Sequence, residues 1–299
     1  MIPRRNRSAG VCLFALGVCA FPAVSIAQVT TANESAVTTR TMALGGGAYA
    51  AAQSTSAIYV NPAAMSMSRV YHVDASTLFD PSVSRWAFGG AVVDSTRVVG
   101  AGLSYTYSTM DNAPDVRHGH DVRLALGALL TEGLSIGVTG RYMNHTGTPT
   151  ANGRLGTAWD GFTLDAGVVV RPARFITLAV TGYSLTNPDT ALSPISVGGG
   201  VALYPVENLT IVADTVWDLR TWGEGRGRIS GGVEYLASRI PLRLGYNFDD
   251  TRQTPVHAIT GGFGFIEQAF GAEASVRQEI VGGSQTTILL NLRYFYRAM

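Results

Sequence analysis

The chain has 299 residues, of which 46% are hydrophobic and only 14% are charged, whereas about 25% of the residues in a typical soluble domain are charged. The formal net charge is +1, and every basic residue is an arginine because the sequence contains no lysine. This composition excludes the strongly basic surface of a nucleic-acid-binding protein and the high net charge of a disordered chain, so no nucleic-acid partner is predicted.

The first 27 residues have the pattern of a secretory signal. Three arginines (Arg4, Arg5 and Arg7) precede an apolar run at residues 11–24, and Ser25-Ile26-Ala27 forms a small-x-small cleavage site. A lipoprotein signal around Cys19 fits less well, because Val18 stands where a small residue is expected. The predicted mature chain begins at Gln28. Since Cys12 and Cys19 both fall in the signal, it has no disulfide and no thiolate metal site.

From Val70 onward, apolar and polar residues alternate with a period of two, which predicts β-strands with one apolar face. Six such runs lie between Val70 and Val170. Eight more are predicted at about 175–184, 194–204, 209–218, 228–236, 241–248, 256–266, 269–279 and 286–296. The total of about 14 strands, each close to the 9–11 residues that a tilted membrane strand needs, is typical of a transmembrane β-barrel.

The connections between these strands alternate between short and long. Short turns are predicted at Asp94–Arg97 and at Glu132-Gly133, among others, whereas longer polar joins include residues 110–119 and 144–160. In outer-membrane barrels the short turns face the periplasm and the longer loops face outward. If the first strand rises from the periplasmic side, the short turns of this chain all fall on that side.

A soluble β-sandwich is the alternative architecture for such strands. Its outer face should be rich in Lys and Glu, yet the polar faces here carry mainly Gly, Ser, Thr and Ala. Aromatic residues near strand ends are predicted to form interfacial girdles: Trp86, Trp217, Tyr107, Tyr142, Tyr183, Tyr204 and Tyr235. The predicted fold class is therefore all-β, a transmembrane antiparallel β-barrel of about 14 strands.

A neutral stretch, MALGGGAYAAAQSTSAIYVNPAAMS, runs from Met42 to Ser66 ahead of the first strand. With Arg40 and Thr41 it resembles the N-terminal segment of the FadL-like outer-membrane proteins, a group that includes the PorV branch. The positions that carry the resemblance are Arg40, Gly46, Gly47, Ala48, Asn61, Pro62 and Ala63. The softer match in the strands includes Arg243 and Gly245 in an Arg-x-Gly-Tyr element.

This resemblance implies a 14-stranded barrel in the outer membrane of a Gram-negative bacterium, with an N-terminal hatch inside the lumen. The implied division is a signal at 1–27, a hatch at 28–69 and a barrel at 70–299. Many members of the family move hydrophobic molecules across the outer membrane, so passive transport of small hydrophobic compounds is the expected function. The alternatives are a PorV-like adaptor for a secreted protein client and a structural barrel with a blocked lumen. A periplasmic linker is the alternative for the neutral stretch itself.

Charged residues on the predicted strands should face the lumen, because a charge facing lipid costs a few kcal/mol near mid-bilayer. A luminal charge network is therefore predicted from Asp74, Arg85, Asp121, Arg123, Arg141, Asp165, Asp214, Glu234, Arg243, Glu273 and Arg293. The expected partners are outer-membrane lipids and, through the aromatic last strand, the barrel-assembly machinery.

No enzymatic site, cofactor or metal site is predicted. His118 and His120 stand near Asp115 and Asp121, but a solvated outer loop explains them better than a metal site does, since no third strong ligand is evident. No nucleophile motif accompanies His72, His145 or His257, which argues against a membrane hydrolase.

Overall fold

The computed structural model describes residues 38–112, 115–146 and 158–297. The predicted signal and cleavage site, and the start of the predicted hatch, lie outside these residues. The described residues form two short helices, α1 (Thr39–Ala43) and α2 (Thr55–Val60), two 3-10 helices, η1 (Pro62–Met67) and η2 (Pro81–Val83), and 14 strands. The strands are β1 (Val70–Asp80), β2 (Arg85–Asp94), β3 (Val99–Asn112), β4 (Asp115–Thr131), β5 (Leu134–Thr146), β6 (Trp159–Ala173), β7 (Ile176–Tyr183), β8 (Ser196–Val206), β9 (Leu209–Asp218), β10 (Arg226–Ala237), β11 (Ile240–Asp249), β12 (Val256–Ile266), β13 (Phe270–Val281) and β14 (Thr286–Arg297).

All neighbouring strands are antiparallel, and the sheet closes on itself. Each strand pairs with those before and after it in the chain, and β1 pairs with both β2 and β14. The closing register sets Val70 opposite Arg297 and Phe79 opposite Ile288. The predicted all-β barrel of 14 antiparallel strands is thus confirmed. Closure also leaves no strand edge unpaired, as a sheet surrounded by lipid requires.

The barrel is apolar outside and polar inside, the reverse of a water-soluble domain. Leu244 and Leu292 expose 64% and 67% of their surface on the outer face, whereas the inward Arg123 and Arg141 expose 1% and 0%. Such a continuous belt of exposed leucine, valine and phenylalanine would be unstable in water but suits a lipid environment. None of the described helices is long and apolar enough to span a membrane.

The predicted outer loop at 110–119 is wrong for most of its length. Strands β3 and β4 continue to Asn112 and from Asp115, so His118 and His120 lie in β4 rather than in a loop. Both rings are exposed on the outer face, where His118 contacts Thr109 and His120 contacts the Tyr105 hydroxyl at 2.8 Å. The period of two continues through these polar residues, so the strands extend beyond the apolar belt.

The aromatic girdle prediction needs a correction at two positions. Trp86, Trp217, Tyr142 and Tyr235 are exposed on the outer surface, as expected for a girdle. Tyr183 is instead buried, and Tyr204 packs against the interior cluster. Both occupy inward-facing positions of their strands. Tyr183 lies on the same face of β7 as the buried Ala179, and Tyr204 lies on the same face of β8 as the buried Ala202.

Residues 38–68, here called the luminal segment, lie inside the barrel. Helix α1 contacts strands β11 to β14, α2 contacts β1 to β4, and η1 contacts β3 to β6. These contacts reach strands on opposite walls, and most residues of the segment are buried. The apolar core of the protein therefore sits within the lumen, where Leu44, Ile58 and Met65 are each almost fully buried.

Candidate functional site

Arg40 fixes the first turn of the luminal segment to the barrel wall. Thr38 caps α1, accepting from the Thr41 amide, and so begins the helix where Arg40 faces the strands. The Arg40 Nη2 donates to Glu234 at 2.8 Å, and its Nη1 donates to the Ala51 carbonyl at 2.5 Å. Burial disfavours the charged form of Arg40 and so lowers its pKa. The attraction and hydrogen bonds of the Glu234 carboxylate have the larger effect, so the pKa of Arg40 lies above its ordinary value.

The Gly-Gly-Ala element packs directly on Asp214 of β9. The two carboxylate oxygens of Asp214 accept from the amides of Ala48 and Tyr49, at 2.7 and 2.9 Å. Gly46 and Ala48 have positive φ angles of 87° and 69°, which turn these amides toward the wall. At Gly47 a side-chain carbon would lie 2.7 Å from an Asp214 oxygen, so the approach requires glycine.

The Asn-Pro-Ala element is held by three strands with glycines on their inner faces. Asn61 is extended, with φ −162° and ψ 102°, and its side chain accepts from the Ala63 amide at 3.1 Å to begin η1. Its amide donates to the Val168 carbonyl at 3.4 Å. A Cβ at Gly127 would lie 2.7 Å from the Pro62 carbonyl oxygen, and one at Gly167 would overlap the Asn61 side chain.

Asp214 holds the Gly-Gly-Ala element and Arg85 pairs with Asp80 at 3.4 Å. The other predicted charged residues lie inside the barrel in two separate clusters. The first is centred on Asp121. Arg123 and Arg141 face each other across β4 and β5, and Asp121 accepts from both, at 2.9 Å from Arg123 Nε and 2.5 Å from Arg141 Nη2. Asp165 lies nearby and accepts from the Ser184 amide at 2.8 Å.

The second cluster surrounds α1. Glu234 accepts from Arg40 and Arg243, and Glu273 accepts from Arg243 at 2.9 Å and also from Arg293. The Thr39 hydroxyl donates to Glu273 at 2.8 Å. Asp74 stands opposite Arg293 in the strand register. The cluster therefore joins five β-strands to the first helix of the luminal segment.

Other anchoring residues were not identified from the sequence, because they are hydroxyls and amides without a motif. Thr260 accepts from the Gly45 amide at 3.1 Å, and Asn247 donates to the Gly45 carbonyl at 2.9 Å. Tyr183 donates its hydroxyl to the Val60 carbonyl.

A separate buried ion-pair group lies at the long-loop end of the barrel. Arg252 stands there between Asp249 and Glu279, at 3.5 and 2.8 Å.

A mixed apolar and cationic pocket lies in the half of the lumen that faces the longer joins. Its walls are formed by Met42, Gly45, Gly46, Tyr49, Tyr59, Val60, Arg85, Tyr183, Val216, Arg228, Asn247, Arg277 and Thr287, and its volume is about 70 Å³. Burial raises the pKa of Tyr59 to about 12, so this ring stays neutral. The luminal segment forms one side of the pocket.

A larger cavity of about 500 Å³ lies at the opposite end of the lumen, near the short turns. Its walls include Arg40, Ser54, Thr55 and His72, so the luminal segment forms one of its sides as well. The segment thus separates two spaces, one at each end of the barrel.

The histidines do not form a recognisable catalytic or metal site among the residues that the structure describes. Ser54 Oγ lies 2.5 Å from His72 Nδ1, but His72 Nε2 has no hydrogen-bond partner there, so no carboxylate orients the ring as in a catalytic triad. The described ranges also contain no group of three His, Cys, Asp or Glu residues placed to hold a metal ion.

A scan against protein-family models finds no match, and a search of curated proteins finds no relative of this sequence. Solved structures do match over most of the chain. The CymD monoaromatic hydrocarbon channel has a TM-score of 0.65 at 11% identity, over 88% of this chain and 97% of that one. A Pseudomonas aeruginosa FadL homologue has a TM-score of 0.58 at 13% identity, over 87% and 98%.

The Pseudomonas putida toluene transporter TodX has a TM-score of 0.59 at 13% identity, over 86% of this chain and 97% of that one. These likenesses confirm that the chain has the FadL-like fold that the Asn-Pro-Ala segment predicted. Two of the three structures are a channel and a transporter.

Proposed function

We propose that this protein is an outer-membrane channel through which small hydrophobic compounds cross passively, with the luminal segment as a movable hatch. The observation that carries this proposal is the position of the luminal segment between two spaces in one lumen. The outer of these is lined by Met42, Tyr49, Tyr59 and Val216, which suit an apolar solute. The structural likeness to channels for toluene and monoaromatic hydrocarbons supports the same substrate class.

The attachment of the luminal segment suits a part that moves as a unit. Its polar contacts to the wall are single hydrogen bonds and a few ion pairs, and the rest of its attachment is apolar packing. Strand-to-strand backbone pairing is confined to the barrel. Small side chains such as Ala50, Ala51 and Ala52 fill its middle, so it can shift without large repacking. The barrel itself would stay closed while the segment rearranged.

Uptake by intact Gram-negative cells tests this proposal, because the lipopolysaccharide leaflet is the barrier that such a channel would bypass. Cells that express the protein should take up naphthalene faster than cells with an empty vector, while uptake of a disaccharide should stay the same. A faster uptake of both solutes would indicate a general porin instead. Equal naphthalene uptake in both strains would contradict the proposal.

The adaptor alternative predicts a different outcome in the same cells. An adaptor would leave naphthalene uptake unchanged and would crosslink reproducibly to one secreted protein at the cell surface. The comparisons with known structures do not support this alternative.

A further inference from the structure

The cavity at the short-turn end carries more positive than negative side chains. Five arginines line it (Arg40, Arg69, Arg239, Arg243 and Arg293), together with only two carboxylates, Asp74 and Glu234. Glu234 is already shared by Arg40 and Arg243, and Asp74 stands opposite Arg293 in the register. Arg239 pairs with Glu267, and Glu273 is shared by Arg243 and Arg293. The carboxylates around the cavity are therefore engaged, and the excess of positive charge is a single arginine.

Buried nitrogen atoms in this wall lack partners among the described residues. The Nη1 of Arg243 and the Nε2 of His72 make no hydrogen bond there, although their residues expose only 7% and 6% of their surface. The Nε of Arg293 is also unpaired. A buried donor without an acceptor costs about 1–3 kcal/mol, so three such groups around one cavity indicate that an acceptor is missing.

The three side chains are held close together by the strands. Arg243 and Arg293 both donate to Glu273, one to each carboxylate oxygen. His72 precedes Asp74 by two residues on the inner face of β1, so it is a diagonal neighbour of Arg293 across the β1–β14 pair. All three residues therefore lie on one side of the same cavity.

Part of the cavity wall is apolar, whereas the side of the luminal segment carries mainly hydroxyl groups. Leu236, Pro241, Ile266 and Phe295 line it beside the arginines, and Phe295 stands edge-on to His72 with ring centroids 6.1 Å apart. A purely inorganic anion would leave these side chains without a contact. An organic anion would use both parts of the wall.

We propose that this cavity is a binding site for a small organic carboxylate. Its carboxylate accepts from Arg243, Arg293 and His72, and its hydrocarbon part packs on Phe295 and Ile266. Binding selects the tautomer of His72 in which Nε2 carries the proton and Nδ1 accepts from Ser54, one of the two arrangements that the contact between Ser54 and His72 permits. The site lies across the luminal segment from the outer pocket, and its existence does not depend on transport.

Benzoate binding to the purified full barrel in a non-ionic detergent tests this proposal. Isothermal titration should show saturable binding of benzoate, and binding of benzyl alcohol and of inorganic phosphate should each be at least about tenfold weaker. Phosphate binding as tight as that of benzoate would contradict the role of the apolar wall. Absence of saturable benzoate binding would overturn the proposal.

The histidine NMR spectrum locates the ligand without relying on a variant. Benzoate should shift the His72 ring signals and leave the His257 ring signals unchanged. His257 lies on β12, beside Tyr246 of β11. Shifts at His257 and not at His72 would place the ligand elsewhere.

Two variants complete the test. His72→Phe should weaken benzoate binding about tenfold, the value expected for loss of one hydrogen bond to a charged group. The matched control His257→Phe should bind benzoate like the wild type. Equal affinities in all three proteins would contradict the proposal, whereas the neutral benzyl alcohol should not distinguish them.

Discussion

Gly137 on β5 and Pro62 in the luminal segment are in backbone contact. A side-chain carbon at Gly137 would overlap the Pro62 carbonyl carbon and would lie 2.8 Å from the Pro62 carbonyl oxygen. The neighbouring Ser135 donates its hydroxyl to the Ala63 carbonyl at 2.5 Å. Strand β5 therefore fixes the Asn-Pro-Ala element by both shape and hydrogen bonding.

Gly137→Ala should displace the Asn-Pro-Ala element, because the obstructing atoms are backbone and cannot rotate away. Overpacking of this kind costs about 1–3 kcal/mol, which corresponds to about 5- to 150-fold faster amide exchange in residues 63–67. Hydrogen–deuterium exchange followed by mass spectrometry measures this change.

Gly261→Ala is the matched control, since a side-chain carbon there would lie 3.7 Å from the Arg243 carbonyl oxygen, an ordinary contact. It should leave exchange in the luminal segment at the wild-type rate. Wild-type exchange in Gly137→Ala would show that the contact does not hold the element in place.

Asp214→Asn should loosen the Gly-Gly-Ala element. An asparagine offers one oxygen in place of the two that accept from Ala48 and Tyr49, and its amide group would face an N–H. A hydrogen bond to a charged group contributes about 1.5–3 kcal/mol, so exchange at residues 45–49 should rise at least about tenfold.

Asp189→Asn serves as the control, because Asp189 forms an exposed ion pair with Arg220 outside the lumen. Its exchange profile in the luminal segment should match the wild type. Were both variants to exchange alike, Asp214 would have no special part in holding the segment.

Glu234→Gln should weaken the attachment of α1 more than either change above. It removes the charge that two buried arginines share, Arg40 and Arg243, and breaking a buried ion pair in this way costs about 3–5 kcal/mol. The closed barrel should still form, since the 14-strand pairing does not depend on this residue. In planar bilayers, the variant should show a higher ionic conductance than the wild type.

The control for this prediction is Glu224→Gln, at a residue whose side chain is 69% exposed beside Arg226. Its conductance should equal that of the wild type. An unchanged conductance in Glu234→Gln, with a correctly folded barrel, would mean that the Arg40 attachment does not keep the lumen closed.

The sequence predicts the strands well because alternation is a local property. The strand count and the inward position of Asp74 and Arg123 follow from a period of two combined with the cost of a charge in lipid. Beyond the membrane belt, as at His118 and His120, polar residues replace apolar ones on the outer face. The side chains still alternate between the two faces there, but the alternation of apolar and polar residues that identifies a strand in the sequence is lost. The outer loop there was predicted too long for this reason.

The partners within the lumen could not be predicted, because they depend on the strand register and on the path of the luminal segment. Asp121 joins Arg123 and Arg141 only because β4 and β5 place those arginines opposite each other. Tyr183 is an aromatic residue near a strand end, as girdle residues are. Its position in β7 nevertheless directs the side chain inward, where its hydroxyl donates to the Val60 carbonyl. The Asn-Pro-Ala element was recognisable because a rigid proline turn needs the same few residues wherever it is used.

A disulfide between the luminal segment and the wall tests the proposed channel, because it should block uptake reversibly. No cysteine follows Cys19, so Ala43→Cys with Gly262→Cys would introduce the only thiols of a chain that begins at residue 28. A Cβ at Gly262 would lie 2.7 Å from the Ala43 Cβ, about 1 Å closer than a disulfide requires, and a small shift of α1 provides the difference. Oxidised cells should take up naphthalene no faster than the empty-vector strain, and dithiothreitol should restore uptake to the level of the single variant Ala43→Cys. Full uptake by a quantitatively oxidised double variant would show that the solute passes without movement of α1, and the hatch would then have to lie elsewhere in the luminal segment.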